Sequence, residues 1–138
     1  MAPPFGALRF LYVGSAKFAQ DLRYYTDVLG APKVWHARAF GAEVAAVRMS
    51  EQGPLLLLAD HRPAGTCMPV YEVPDLGKAV RALRERGWKE HAGPFGIPNG
   101  DCYTFRDPSG NELAMFEDER PLAMQGADAA GGGAEDER

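Results

Sequence analysis

The chain has 138 residues, 46% of them hydrophobic and 25% charged, which is the length and composition of one globular domain. Its longest apolar run, Pro54-Leu55-Leu56-Leu57-Leu58-Ala59, is strand-sized and far short of the roughly 20 residues that span a bilayer. The formal charge of −4 divides into −5 on residues 117–138, where seven acids meet Arg120 and Arg138, and +1 on residues 1–116, so the body offers no electrostatic case for nucleic acid. Met1–Phe5 carries neither the basic nor the apolar segment of a signal peptide, and Cys67 and Cys102 stand in no metal or redox spacing. These features predict a reduced, cytoplasmic protein with no membrane or nucleic-acid partner.

In chain order, Leu8–Val13 reads as a strand and Ser15 as the N-cap of a helix whose apolar stripe is Phe18, Leu22, Tyr25 and Leu29, stopping at Gly30. Lys33–Arg38, Glu43–Met49 and Leu55–Ala59 follow as strands, separated by Gly41 and by Ser50-Glu51-Gln52-Gly53. The order then repeats. Met68–Val73 is a strand, Asp75 caps a helix with Leu76, Val80 and Leu83 on one side, and Gly87 ends it. Trp88–His91 reads as a short strand, Gly93–Gly100 as a Pro/Gly loop, and Asp101–Arg106 and Glu112–Glu117 as strands joined by the tight turn at Asp107-Pro108-Ser109-Gly110-Asn111. The chain is thus expected to be α+β, with two β-α-β-β-β modules at about 7–60 and 67–117 inside one domain of residues 1–120. Residues 121–138 form an acidic, Gly/Ala-rich tail with little to bury, expected to be disordered.

Three segments carry a family likeness: Val13-Gly14-Ser15 with Tyr24-Tyr25-Thr26-Asp27-Val28-Leu29-Gly30, Tyr71-Glu72-Val73-Pro74-Asp75-Leu76, and Phe105-Arg106-Asp107-Pro108-Ser109-Gly110-Asn111. In this order and at these separations the chain resembles the vicinal-oxygen-chelate superfamily of glyoxalases, bleomycin-resistance proteins and dioxygenases. The resemblance implies cupped mixed sheets, and a homodimer whose cups are completed across the interface.

Metal-using members of that superfamily need imidazole and carboxylate donors converging on a cation with open positions for substrate. The resemblance puts Leu8, Met68 and Ala114 at the ligand positions. All three are apolar, so no metal ligand, catalytic residue or cofactor is predicted. Glu112, two residues before Ala114 and on the same strand face, is the one candidate for a shifted ligand, with a rim carboxylate as its plainer role. His36, His61 and His91 stand at no chelating spacing and read as surface or capping histidines.

The inward side chains then decide function. Alternation groups Leu8, Phe10 and Tyr12, then Met68, Val70 and Glu72, then Ala114 and Phe116. By resemblance these faces line the cup, and Trp35 and Phe40 match two aromatic positions at which antibiotic-sequestering members hold their ligand. Flanked by charged residues and Gly41, this pair is expected to be exposed at a rim. The loop bearing Phe95, Ile97 and Asn99 occupies another ligand-side place, although some drug-binding relatives have a Trp where this chain has Asn99. Tyr103 completes the candidate ligand set. Each aromatic stack contributes about 0.5–1.5 kcal/mol beyond area burial, whereas micromolar sequestration needs about 8 kcal/mol, so an enclosing apolar pocket must supply the rest. The resemblance points to non-catalytic binding of a small hydrophobic aromatic or polycyclic natural product, as in antibiotic self-resistance. The alternative is an enzyme of the same superfamily, either a metal-free biosynthetic member or an atypical metal-dependent lyase, isomerase or dioxygenase; an accessory protein binding another protein is a third.

Overall fold

The computed structural model describes residues 2–39, 41–97 and 99–119; Phe40 and the acidic tail lie outside the described residues. The chain folds into two compact units, an N-terminal one of residues 10–67 and a C-terminal one of residues 68–119 together with residues 2–9. Each is a mixed four-stranded sheet. None of the described helices is long and apolar enough to cross a membrane.

In the N-terminal unit β1 (Leu8–Gly14) runs parallel to β4 (Leu55–Ala59), and β3 (Ala42–Val47) pairs antiparallel with both β4 and β2 (Lys33–Ala39). The order is β2-β3-β4-β1. Parallel pairing of β1 with β4 demands a crossover, and the chain between them supplies α1 (Phe18–Arg23). Its helix continues for one wider π turn over Tyr24–Val28, where the Leu29 amide donates to the Tyr24 carbonyl five residues back. Three residues of the expected apolar stripe, Phe18, Leu22 and Tyr25, pack on Ala31, Val47, Leu56 and Leu58, whereas the fourth, Leu29, follows the wider π turn and is 46% exposed. Ser15 is not the N-cap, which falls on Lys17 without a side-chain bond; the Ser15 hydroxyl instead donates to Asp21 at 2.6 Å.

The C-terminal unit repeats the scheme. β5 (Cys67–Glu72) runs parallel to β8 (Glu112–Phe116), β7 (Gly100–Arg106) is antiparallel to β8, and β6 (Ala92–Ile97) closes the edge, giving β5-β8-β7-β6. α2 (Leu76–Glu85) starts at Asp75, whose carboxylate accepts from the Lys78 amide at 3.0 Å, and the Glu117 carboxylate accepts from the Leu76 amide at 2.9 Å. The helix stops before Gly87, whose φ of +94° suits glycine. It buries Leu76, Ala79, Val80 and Leu83 against Val73, Phe105 and Met115. Each large aliphatic side chain so buried contributes roughly 1.5–3 kcal/mol.

Residues 88–100 depart from the sequence reading. The expected strand at Trp88–His91 is absent and the expected loop holds β6. Three glycines and two prolines in residues 93–100 signal a loop, but among the described residues β6 is an edge strand paired with β7, where missing ladder donors cost little. A register shift between Ala92 and Phe95 absorbs the irregular geometry. Trp88 serves the core instead, its ring edge-on to Tyr103 and Phe105 at 5.8 and 5.7 Å.

Candidate ligand-binding site

Register sorts the N-terminal sheet into two faces. Val13, Val47, Leu56 and Leu58 meet α1. The pairs Trp35–Ala46, Ala46–Leu57, Leu57–Tyr12 and Leu55–Phe10 then define the opposite face. Phe10, Tyr12 and Trp35, singled out from the sequence as candidates, therefore share one surface. His36 points the other way, its ring 5.6 Å from Phe18 and its Nε2 at 2.6 Å from Glu43.

Exposure corrects one expectation. Trp35 is 6% exposed, so it forms a wall of its face and not an accessible rim. Placed in register on Ala46, itself fully buried, its indole has a small partner across the ladder and sinks against the sheet. Phe40, its expected partner in the clamp, lies outside the described residues.

Among the described residues, polarity lies at one end of this face. The Tyr12 hydroxyl stands 3.4 Å from His61 Nε2, the two rings meet edge-on at 5.8 Å, and the Arg62 guanidinium lies 6.0 Å from the Tyr12 ring centre. The loop carrying His61 and Arg62 is seated by Gly14, where a Cβ would overlap the Pro63 carbonyl oxygen. The Gly14 amide donates to the Thr66 carbonyl at 3.1 Å, and both the amide and the hydroxyl of Thr66 donate to Pro63. Sequence reading treated His61 as a surface histidine and passed over Arg62, because loop closure over a glycine leaves no trace in periodicity.

In the C-terminal unit Met68, Val70, Cys102, Thr104, Ala114 and Phe116 share the face turned away from α2. Phe95, opposite Cys102 on the edge strand, is 40% exposed; Ile97 is half-buried. Tyr103 lies on the other face, packed on Trp88 in the α2 core, so it is set apart from the ligand candidates grouped with it from the sequence. Asn99 is buried and its amide nitrogen lies 3.3 Å from the Asp118 carboxylate.

A charged cluster, missed in the sequence because its members are far apart in the chain, edges this face. Arg9 Nη1 donates to Glu72 at 2.6 Å and to Asp118 at 3.2 Å, while its guanidinium lies 5.9 Å from the Phe116 ring centre. Burial alone lowers the Arg9 pKa, but its bonds to the two carboxylates outweigh that and raise it above the usual arginine value. A parity mismatch, with charge at Glu72 on an otherwise apolar strand face, was the available signal.

Leu8, Met68 and Ala114 do not make a metal centre. Met68 is 5% exposed and Ala114 fully buried, and neither Leu8 nor Ala114 has a donor atom. Among the described residues no group of three or more His, Cys, Asp or Glu side chains converges to hold a cation. Glu112, half-buried, faces Arg106 across the β7–β8 ladder. The residues present do not fit the superfamily's metal.

Two parallel-closed β-α-β-β-β sheets, each with its helix on one face and an apolar opposite face, define a protein of the glyoxalase-type fold. A sequence profile of the Glyoxalase/Bleomycin resistance protein/Dioxygenase superfamily matches residues 13–115, and the chain belongs to that superfamily. Among solved structures it is similar to methylmalonyl-CoA epimerase from Mycobacterium tuberculosis, with a TM-score of 0.75, 17% identity, and coverage of 89% of this chain and 95% of that one. It is also similar to a methylmalonyl-CoA epimerase in complex with methylmalonyl-CoA and NH4+, with a TM-score of 0.69, 11% identity, and coverage of 84% and 96%. A hypothetical protein from Bacillus halodurans C-125 gives a TM-score of 0.66 at 11% identity, covering 80% of this chain and 92% of that one. At such identities the likeness is one of fold. A search of curated proteins by sequence finds no match.

Proposed function

We propose that the protein binds a small hydrophobic, aromatic or polycyclic compound without transforming it, as a homodimer, in the manner of drug-sequestering self-resistance proteins. The observation that carries this reading is the apolar face of the N-terminal unit, where Phe10, Trp35, Ala46, Leu55 and Leu57 present carbon and the Tyr12 ring adds a third aromatic. Such a lining, with few polar groups, is what a buried flat ligand needs, and it supplies area that two stacks alone lack. The donor-poor positions at Leu8, Met68 and Ala114 support binding over metal-assisted chemistry. Native mass spectrometry of freshly purified protein tests it: an organic adduct on a dimer is expected. A protein that carries stoichiometric metal and no organic mass speaks against it.

The second reading is an enzyme, favoured by the solved epimerases of the same fold and by the Glu72 and Asp118 carboxylates held on Arg9. Incubation with methylmalonyl-CoA in deuterium oxide separates the two. The binding reading expects no deuterium at the acidic carbon, whereas catalysed exchange that fails in Glu72→Gln would replace it with epimerase chemistry.

A further inference from the structure

We infer that the C-terminal unit carries a ligand site of its own, for a small carboxylate with a compact apolar body, in the cavity between the N-terminal arm and α2. This goes beyond the reading above and stands independently of it, since none of the lining belongs to the sheet face assigned there. The cavity measures 230 Å³. That is below the roughly 300–1,000 Å³ of sites for drug-sized molecules, so it suits a ligand of about ten non-hydrogen atoms.

The arm is fastened to the unit along its length. The Gly6 amide donates to the Glu72 carbonyl at 2.7 Å, and the Ala7 carbonyl accepts from the Glu72 amide at 2.9 Å. The approach is close enough that a Cβ on Gly6 would stand 3.0 Å from the Glu72 oxygen. The Phe5 ring packs on Tyr71 and Phe105, with ring centres 5.5 and 6.1 Å apart. Arg86 Nη2, just past the last turn of α2, donates to the Ala2 carbonyl at 3.2 Å. Ala2 and Pro4 then form the arm wall of the cavity, and Ala79 and Ala82 the helix wall. These short side chains leave open the volume that longer ones would fill.

Charge enters the same cavity from the helix. Lys78 and Arg86, about two turns apart, line it together with Asp75, two cations against one carboxylate and so a local balance of +1. Asp75 is already engaged, its Oδ1 accepting from the Lys78 amide at 3.0 Å as the cap of α2. Among the described residues the Lys78 ammonium has no ion-pair partner, and Arg86 uses one of its several donors on Ala2. The helix N-terminus is not the attraction, because the Asp75 and Glu117 carboxylates already occupy it. A carboxylate on a small ring would lay carbon against the alanines and Pro4 and meet charge-assisted donors from Lys78 and Arg86. A cation would meet the two bases, and a neutral molecule would leave the ammonium to water.

Amide NMR titration with benzoate and with benzyl alcohol, the same ring without the charge, tests the inference. Benzoate is expected to shift the amides of Lys78, Ala79, Ala82 and Arg86 saturably and to bind about tenfold tighter than the alcohol. Lys78→Gln, at an exposed position, should weaken benzoate several-fold and leave the alcohol unchanged. Raising salt should weaken benzoate alone on the unaltered protein, a readout that needs no variant to fold. Ala82→Leu, which fills the cavity with another good helix former, should abolish binding of both probes. Equal affinities for the two probes, or benzoate indifferent to salt and to Lys78→Gln, would overturn the preference for a carboxylate. Failure of both to bind, shifts confined to residues outside the arm and α2, or binding that survives Ala82→Leu would overturn the site itself. None of these outcomes touches the sheet-face reading, whose test is the organic adduct.

Discussion

Burial in the C-terminal unit pushes the Cys102 thiol up to about 12, whereas Cys67 lies exposed at the start of β5. Since the thiolate is the reactive form, a disulfide reagent should titrate one thiol in the native protein and the second only on unfolding. Two thiols reacting at native rates would show that Cys102 is open to solvent. The same burial sets a pH trend. The folded state keeps this thiol protonated after the unfolded chain has begun to ionise, so its contribution is intact below the ordinary thiol value of 9.0 and is lost as pH climbs toward about 12. Denaturant melts across that alkaline range should show falling stability, and Cys102→Ala should flatten the fall. Trp35 teaches the limit of reading side chains from a sequence. Family resemblance, not alternation, grouped it with Phe10 and Tyr12, and register puts the three on one sheet face, but exposure depends on the ladder partner, and Ala46 is not visible from position 35. As a buried side chain, Trp35→Ala should lose about 3–5 kcal/mol in urea unfolding. A loss under about 1 kcal/mol would return the indole to the rim.

Elements with a strong period were legible, and those defined by pairing were not. α2 announced itself through Asp75, its apolar spacing and Gly87, and its cap is worth about 1 kcal/mol, the loss expected for Asp75→Ala in equilibrium unfolding. β6 was hidden because an edge strand needs only one good neighbour, so Gly93, Pro94 and Gly96 were compatible with it after all. The turn from β7 into β8 was legible to the residue. Asp107 accepts from the Asn111 side-chain and backbone nitrogens at 2.9 and 2.8 Å and from the Ser109 amide at 3.0 Å, which holds its carboxyl below the ordinary aspartate value. Its contribution is therefore complete above that ordinary value and declines as pH falls through the lowered one. An NMR titration of Asp107 should show a midpoint below that of an unperturbed aspartate, and a normal midpoint would dissolve the argument.

At the scale of the whole molecule, the repeated order of elements was readable because each unit closes on itself, first strand against last, before the chain moves on. The charged cluster of Arg9, Glu72 and Asp118 was not readable, since it joins residues up to 109 positions apart. Melting curves with Zn²⁺, Ni²⁺, Mn²⁺ and Fe²⁺ should superimpose on the metal-free curve, because Leu8, Met68 and Ala114 offer no site for them; a rise of several degrees with any one would contradict this. The placement of the two tryptophans has an optical consequence. Trp35 is buried on the face assigned to the ligand, and the Trp88 indole nitrogen is shielded from water in the α2 core. Folded protein should therefore emit to the blue of unfolded protein, with both indoles contributing. In Trp88→Phe the emission that remains comes from Trp35 alone, so any shift or quenching on adding a compound reports from the sheet face that would hold it.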